Sequence, residues 1–143
     1  MNARAKDAAT KGEWLRKTKY ADVVVVCLGV NDLLHDNLST EKTLCGFYDI
    51  ILSELSDGKR KIVWQTVPPA NYNSVYKIDC WNTANNYIKN VISDKVTAVF
   101  DTVPVLRKSE KEPHVALYGL HPNATGCKLC AKNLAPIIER ILK

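Results

Sequence analysis

Residues 23–32 have the sequence Val-Val-Val-Val-Cys-Leu-Gly-Val-Asn-Asp, an apolar run followed by a glycine and a polar pair. Its first six residues are a continuous apolar run that begins with four β-branched valines. A short apolar run that ends at a glycine is typical of a strand covered on both faces in a parallel sheet. We therefore predict a buried strand over 23–28 and a parallel α/β fold around it.

Outward from this strand, apolar stripes of helical and strand period alternate along the chain. This alternation predicts a three-layer α/β domain with a parallel sheet and right-handed crossovers. Neither an internal repeat nor a linker interrupts the sequence, so residues 1–143 are predicted to form one domain. The predicted strands are 23–28, 61–67 and 97–102, and the predicted helices lie within 5–19, from Ser39 or Thr40 to Leu55, from Ala84 to Ile92, and from Asn123 onward with a kink or break at Pro136.

Charge and cysteine content exclude several functional classes. The net charge of +5 comes from scattered lysines and arginines, without the basic and aromatic stripe of a nucleic-acid-binding surface. No apolar stretch approaches the roughly 18 residues of a membrane span, and residues 1–19 lack the apolar core of a signal peptide. Five cysteines, an odd number in a chain with an ordinary core, favour free thiols in a reducing compartment, so we expect a cytoplasmic protein.

Asn31 and Asp32 follow the first predicted strand at its carboxyl end. Functional groups gather at this edge in open parallel sheets. An asparagine in such a position can direct its side-chain amide at the oxyanion that develops during acyl transfer. Glycine, asparagine and aspartate are also turn formers, so an ordinary turn is the alternative interpretation.

His121 lies between Leu120 and Pro122, directly before the last predicted helix. A histidine held in a loop at a helix entrance is well placed to act as a general base near neutral pH. The alternative is an exposed or helix-capping histidine. His35 and His114 lack such a setting, and we predict that both are surface residues.

Together these motifs resemble those of the SGNH (GDSL-type) hydrolases, which are esterases, lipases and acyl hydrolases with a flavodoxin-like fold. Residues 23–32 resemble the family's strand and G-x-N-D block. Residues 118–126, with the sequence Tyr-Gly-Leu-His-Pro-Asn-Ala-Thr-Gly, resemble its D-x-x-H-P-N block, and residues 62–69 resemble its next strand.

The resemblance implies an acyl or acetyl esterase that acts on a small-molecule ester. It implies that Asn31 is an oxyanion-hole donor and that His121 is the general base. Asp32 would orient the loop rather than act on the substrate. No cofactor and no metal are implied.

Two departures from the family pattern bear on activity. The family's nucleophilic serine precedes the G-x-N-D block, but this chain has no serine before Ser39, so no nucleophile is found. Tyr118 occupies the position of the aspartate that orients the histidine, although a backbone carbonyl could fix the tautomer instead. We expect the chain alone to be inactive, and the alternative is a non-catalytic α/β binding module.

The missing serine block also has a structural consequence. In a flavodoxin-like sheet of order 2-1-3-4-5, the absent first strand would pair with Val23–Leu28. A long apolar edge promotes aggregation and is usually covered in folded proteins. We therefore predict that the domain is N-terminally incomplete, or that another chain, such as the second copy in a homodimer, covers this edge.

Cys127 and Cys130 could together with His114 and His121 suggest a zinc site. The two cysteines are spaced i and i+3 on a predicted helix, where small thiols suit an apolar stripe. We therefore do not predict a metal site.

Overall fold

The structure, a computed structural model, contains a parallel sheet with helices packed against it. It describes residues 4–35, 41–70, 78–107, 117–118 and 121–143. The strands are β1 (Val23–Val26), β2 (Lys61–Gln65), β3 (Ala98–Phe100), β4 (Leu117–Tyr118) and β5 (His121–Pro122). The helices are α1 (Ala5–Lys11), α2 (Glu13–Lys17), α3 (Val30–His35), α4 (Glu41–Leu55), α5 (Ile78–Asn90), α6 (Val103–Leu106) and α7 (Ala124–Leu142), with a 3₁₀ turn at Ile92–Lys95.

The main sheet has the order β1-β2-β3, and both pairs of neighbouring strands are parallel. The register places Val24 beside Ile62 and Val26 beside Trp64. Helix α4 connects β1 to β2, and α5 connects β2 to β3. The predicted α/β class with a flavodoxin-like parallel sheet is confirmed.

One side of this sheet, here called the covered face, carries the main core. Side chains alternate along a strand, so Val24, Val26, Ile62, Trp64 and Val99 share this face. They join one apolar cluster with residues of α1, α4 and α5. The Tyr48 ring of α4 meets the Trp64 ring edge to face, with centroids 5.3 Å apart.

The opposite side, here called the open face, includes Val23, Val25, Val63 and Phe100. Val63 and Phe100 are buried, but Val25 is 38% exposed and Val23 is half-buried. The prediction that this strand is covered on both faces is therefore wrong. Helix α7 contacts β3 and α6. In the strand order, β3 lies at the opposite end of the sheet from β1.

Helix α7 differs from expectation in two respects. Pro136 does not divide it, and the helix runs continuously from Ala124 to Leu142. Of its residues only Gly126 is buried, whereas Cys127, predicted to point inward, is exposed. Its apolar stripe is only half-buried, at Leu134, Ile137, Ile138 and Ile141.

Several local elements were not predicted. Gly12 adopts a left-handed conformation with φ of 63°, which ends α1 and starts α2 where one helix was expected. β1 ends at Val26 instead of Leu28. The short helices α3 and α6 and the β4–β5 pair lie in segments expected to be loops.

Candidate active site

Gly29 is the point at which the chain turns from β1 into α3. Its φ is +128°, a conformation that side chains other than glycine rarely adopt. A Cβ atom here would also overlap the Tyr48 hydroxyl and lie 2.8 Å from Cγ2 of Val67. The glycine is therefore required both by the backbone and by the packing of α4 and the segment after β2.

Tyr48 holds the end of this strand from the covered face. Its hydroxyl donates a hydrogen bond of 2.8 Å to the carbonyl oxygen of Leu28. Burial, followed by the charge of Asp32, raises the pKa of Tyr48 well above its ordinary value. The hydroxyl therefore stays protonated and remains a donor, which fixes the carbonyl immediately before Gly29.

Asp32 lies in the first turn of α3 and is completely buried. Its carboxylate accepts hydrogen bonds from the backbone N–H groups of Ala5 (2.8 Å) and Lys6 (3.0 Å). These are the first N–H groups of α1, whose own N-cap residue, Arg4, provides no side-chain cap. Asp32 thus joins helix α3, which also carries Asn31, to a helix of the covered face.

Asn31 precedes this anchor on the same turn and is half-buried. Because its neighbours on both sides are fixed, by the Gly29 turn and by the Asp32 carboxylate, the backbone of Asn31 is held at the carboxyl edge of the sheet. A backbone held in this way limits how far the side-chain amide must move to donate a hydrogen bond during a reaction.

The carboxyl ends of β2 and β3 are joined by a buried polar cluster. The hydroxyl oxygens of Thr66 and Thr102 lie 3.0 Å apart, and Thr66 Oγ1 accepts the Thr102 backbone N–H at 2.9 Å. The Thr66 hydroxyl also lies 3.2 Å from Oδ1 of Asp101. These contacts fix the carboxyl ends of β2 and β3, and no motif in the sequence signals them.

Helix α5 supplies a second support for this edge. The side chain of Asn85 accepts the backbone N–H of Val67 at 2.8 Å and donates to the carbonyl of Val67 at 3.0 Å. The Trp81 indole N–H donates to the same carbonyl at 3.1 Å. The segment after β2 is therefore held against α5.

His121 belongs to the β4–β5 pair, in which it lies opposite Tyr118. It is exposed. Asn123, and not His121, caps α7: its side chain accepts the backbone N–H of Gly126 at 2.9 Å. The histidine therefore lies two residues before the capped end of α7.

The start of α7 lies at the same edge of the sheet as the end of β1. Leu129 and Cys130 pack on Leu106 of α6, which directly follows β3. Desolvation by the surrounding protein, and then the charge of Cys130, raise the pKa of the Cys27 thiol, which follows β1. His121 thus precedes a helix that packs on α6, beyond the carboxyl end of β3, and Asn31 follows the carboxyl end of β1.

Other predicted features have less structural support. The segments 33–40, 70–79 and 105–117, in which we expect loops that would shape a pocket, lie partly outside the described residues, and so do His114 and the side chain of His35. All five cysteines are free thiols. Within the described ranges, no three His, Cys, Asp or Glu side chains are grouped to hold a metal ion, and no helix is long and apolar enough to cross a membrane.

Comparison with known proteins adds a fold relationship. No family model matches the sequence, and no curated protein matches it. Among solved structures, a serine-to-alanine mutant of an acetyl esterase with an acetate ion aligns with a TM-score of 0.74 and 21% identity, over 98% of this chain and 68% of that chain. A carbohydrate esterase family 3 protein from Talaromyces cellulolyticus aligns with a TM-score of 0.78 and 19% identity over the same shares. The fold is shared with esterases.

Proposed function

We propose that this chain forms the larger part of an SGNH-type hydrolase that cleaves acyl or acetyl esters of small molecules. The observation that supports the proposal is the fold shared with esterases, in which Asn31 follows the carboxyl end of β1 and His121 precedes a helix that packs on α6, after β3. In open parallel sheets the carboxyl edge is where ligands bind.

In this mechanism Asn31 and His121 have separate tasks. The amide of Asn31 donates a hydrogen bond to the oxyanion as the ester carbonyl is attacked, a contribution of about 3–4 kcal/mol in comparable sites. His121 takes the proton from the attacking hydroxyl and returns it to the leaving alcohol. Asp32 does not contact the substrate but keeps Asn31 in place through α1.

The nucleophile is a serine from a segment outside these 143 residues, because no serine precedes Ser39. Orientation of His121 falls to the main chain. Tyr118 lies opposite His121 in the β4–β5 pair. This position supports a role for a backbone carbonyl in orienting the imidazole, in place of the usual carboxylate.

A non-catalytic binding module is the second candidate. Tyr118 in place of a carboxylate and the lack of an upstream serine favour it. Such a module would keep the Asn31 edge and bind an ester without cleaving it.

For either candidate, the five free thiols support a reducing compartment such as the cytoplasm.

Hydrolysis of 4-nitrophenyl acetate tests the proposal, first with this chain and then with the polypeptide encoded by its reading frame extended upstream of Met1. We expect activity in the extended polypeptide. His121→Ala should lower kcat/KM by about 10²–10⁴-fold and Asn31→Ala by about 10²–10³-fold. Asn133→Ala serves as the control, because Asn133 is exposed on α7 and donates to its own helix at Leu129.

Activity that His121→Ala leaves within twofold would contradict the proposed base. If the extended polypeptide binds an acetyl ester in calorimetry but does not cleave it, the binding module is the correct function.

A further inference from the structure

Helices α4 and α5 enclose a groove, here called the α4–α5 groove. Its main cavity has a volume of about 590 Å³, which lies within the range of ligand-binding pockets. Neither Asn31 nor His121 belongs to its lining. The lining residues that bear on its chemistry are Gly46, Asp49, Thr83, Asn86, Tyr87 and Asn90.

Gly46 occupies an interior position of the 15-residue helix α4. Unlike Gly12, Gly29 and Gly58, it does not have a positive φ. A Cβ atom built on Gly46 would meet no neighbouring heavy atom within 4 Å. Neither the backbone nor the packing therefore requires glycine here, although glycine destabilises a helix interior relative to alanine. What the missing side chain provides is space in the groove, where a ligand can approach the helix closely.

Asp49 and Tyr87 connect the two helices across the groove. The Tyr87 hydroxyl of α5 donates a hydrogen bond of 2.5 Å to Oδ1 of Asp49 on α4. Desolvation, and then this hydrogen bond, raise the pKa of Tyr87, so the hydroxyl stays protonated. Because its proton is directed at Asp49, the hydroxyl oxygen can accept a hydrogen bond from a ligand, and so can the second oxygen of the carboxylate.

Helix α5 contributes a stripe of neutral polar side chains to the groove. Thr83, Asn86 and Asn90 are spaced i, i+3 and i+7, so they share one face of the helix. Asn86 and Asn90 are exposed, and an asparagine amide both donates and accepts hydrogen bonds. Asparagine is a weak helix former, so helix stability does not explain this stripe. Donors and acceptors thus lie beside the apolar surface of the Tyr87 ring and Val91.

A second cavity of about 530 Å³ continues the groove and shares Asp49 with the first. It adds the hydroxyl groups of Ser53 and Ser56 and the ammonium group of Lys95. From Gly46 to Ser53 the groove follows α4 for about 10 Å. Among the described residues that line the two cavities, Asp49 and Lys95 are the only Asp, Glu, Lys or Arg residues, so the lining has no net charge.

We propose that the α4–α5 groove binds a neutral oligosaccharide. Sugar hydroxyl groups donate to Asp49 and to the Tyr87 oxygen, and they accept hydrogen bonds from the amides of Asn86 and Asn90. The C–H face of a sugar ring packs on the apolar surface beside these groups. A lining without net charge favours an uncharged ligand over an anion or a cation, and the elongated shape favours a chain of rings over a compact molecule. This inference does not rest on the proposed function.

A titration followed by nuclear magnetic resonance tests the inference on the isotope-labelled 143-residue chain. The probes are cellotriose, xylotriose, mannotriose and chitotriose, which are neutral trimers of four different sugars, and the comparison ligand is putrescine, a dication without hydroxyl groups. We expect at least one trimer to shift the backbone amide signals of residues 45–49 and 83–91, with a Kd of about 1 mM or tighter. Putrescine should not shift them.

Asn86→Ala and Asn82→Ala form a matched pair. Both asparagines are exposed on α5, but only Asn86 lines the groove. Asn86→Ala should raise the Kd of the bound trimer about fivefold, because a ligand hydroxyl loses its partner. Asn82→Ala has the same effect on helix propensity and should leave the Kd unchanged.

Gly46→Leu separates a ligand-binding role from a structural one. The leucine side chain would occupy the groove, so the Kd should rise at least about tenfold. The melting temperature should rise by about 3 °C, because leucine is a much stronger helix former than glycine. Glu54→Leu is the control, since Glu54 is exposed on α4 and lines neither cavity, and it should leave the Kd unchanged.

Three results would overturn the inference. If none of the four trimers shifts the amides of the groove, it is not an oligosaccharide site. If putrescine alone shifts them, Asp49 is part of a cation site instead. If Asn82→Ala weakens binding as much as Asn86→Ala, or if Gly46→Leu leaves the Kd unchanged, the trimer binds elsewhere. None of these measurements depends on ester hydrolysis, so their failure leaves the proposed function untouched.

Discussion

The two faces of the sheet are built from the same strands, yet they are completed to different degrees. On the covered face, Trp64 is fully buried beneath α4, and helices α1 and α5 close the layer. On the open face, α7 reaches β3 but leaves Val25 38% exposed. Since β-branched residues fill both faces of β1, composition alone does not determine burial. Burial depends on which helices the chain supplies.

The first comparison substitutes one residue on each face of the sheet and measures the change in the free energy of unfolding. Trp64→Ala should lower the free energy of unfolding by about 3–5 kcal/mol, because it leaves a cavity under α4. Val25→Ala should lower it by less than about 1 kcal/mol, because water already reaches this side chain. Urea unfolding followed by circular dichroism measures both. Equal costs would show that the open face is as well packed as the covered face.

A substitution at Gly29 tests how tightly the turn from β1 into α3 is held against the covered face. Gly29→Ala should cost about 3 kcal/mol, since it combines an unfavourable φ of +128° with overlap at Tyr48 and Val67. Gly12→Ala is the control: its φ is also positive, at +63°, but no heavy atom lies within 4 Å of the added Cβ. We expect about 1 kcal/mol there, and a similar cost at both glycines would mean that only the backbone matters.

Asp32 tests the link between the site and α1. Asp32→Ala should lower the free energy of unfolding by about 2 kcal/mol, because two N–H groups lose a charged acceptor. Hydrogen exchange should increase first at Ala5 and Lys6. Asp22→Ala, at an exposed aspartate before β1, should change stability by less than about 0.5 kcal/mol. Unchanged exchange at α1 in Asp32→Ala would contradict the proposed anchoring role.

The smallest expected effect comes from a turn that belongs to neither face. Asp57 accepts the backbone N–H groups of Arg60 (3.0 Å) and Lys59 (2.9 Å), and these bonds, with the Arg60 guanidinium, hold the pKa of Asp57 below its ordinary value. A lowered folded-state pKa stabilises the fold above about pH 4, and this stabilisation is lost as the pH falls through the folded-state pKa. Asp57→Asn should therefore flatten the loss of stability below pH 4, as measured by melting temperature against pH. A steeper loss of stability in Asp57→Asn would show that folding raises the pKa of Asp57 instead of lowering it.

The sequence was sufficient to predict features that depend on local pattern. The β1 and β2 strands follow from apolar runs, and the position of Asn31 after β1 follows from the glycine that ends the run. The start of α7 just after Asn123 follows from Pro122. Each of these depends on a few adjacent residues.

Features that depend on distant segments were not predictable in the same way. The Asp32 carboxylate finds its partners in α1, and Thr66 pairs with Thr102 across two strands. The exposure of Val25 depends on the absence of a helix above it among the described residues, which an apolar run cannot reveal. The length of β1 also depends on a distant segment, because β1 extends only as far as β2 pairs with it.

The bond between Asp32 and α1 also orders events during synthesis. The two ends of this contact are separated by 27 residues, and α1 leaves the ribosome first. A helix of seven residues is too short to persist alone, so it remains uncapped until β1 and the turn after it have been made. Helix α1 is therefore completed by a residue translated after it, and an interruption of translation between them would leave α1 without its cap.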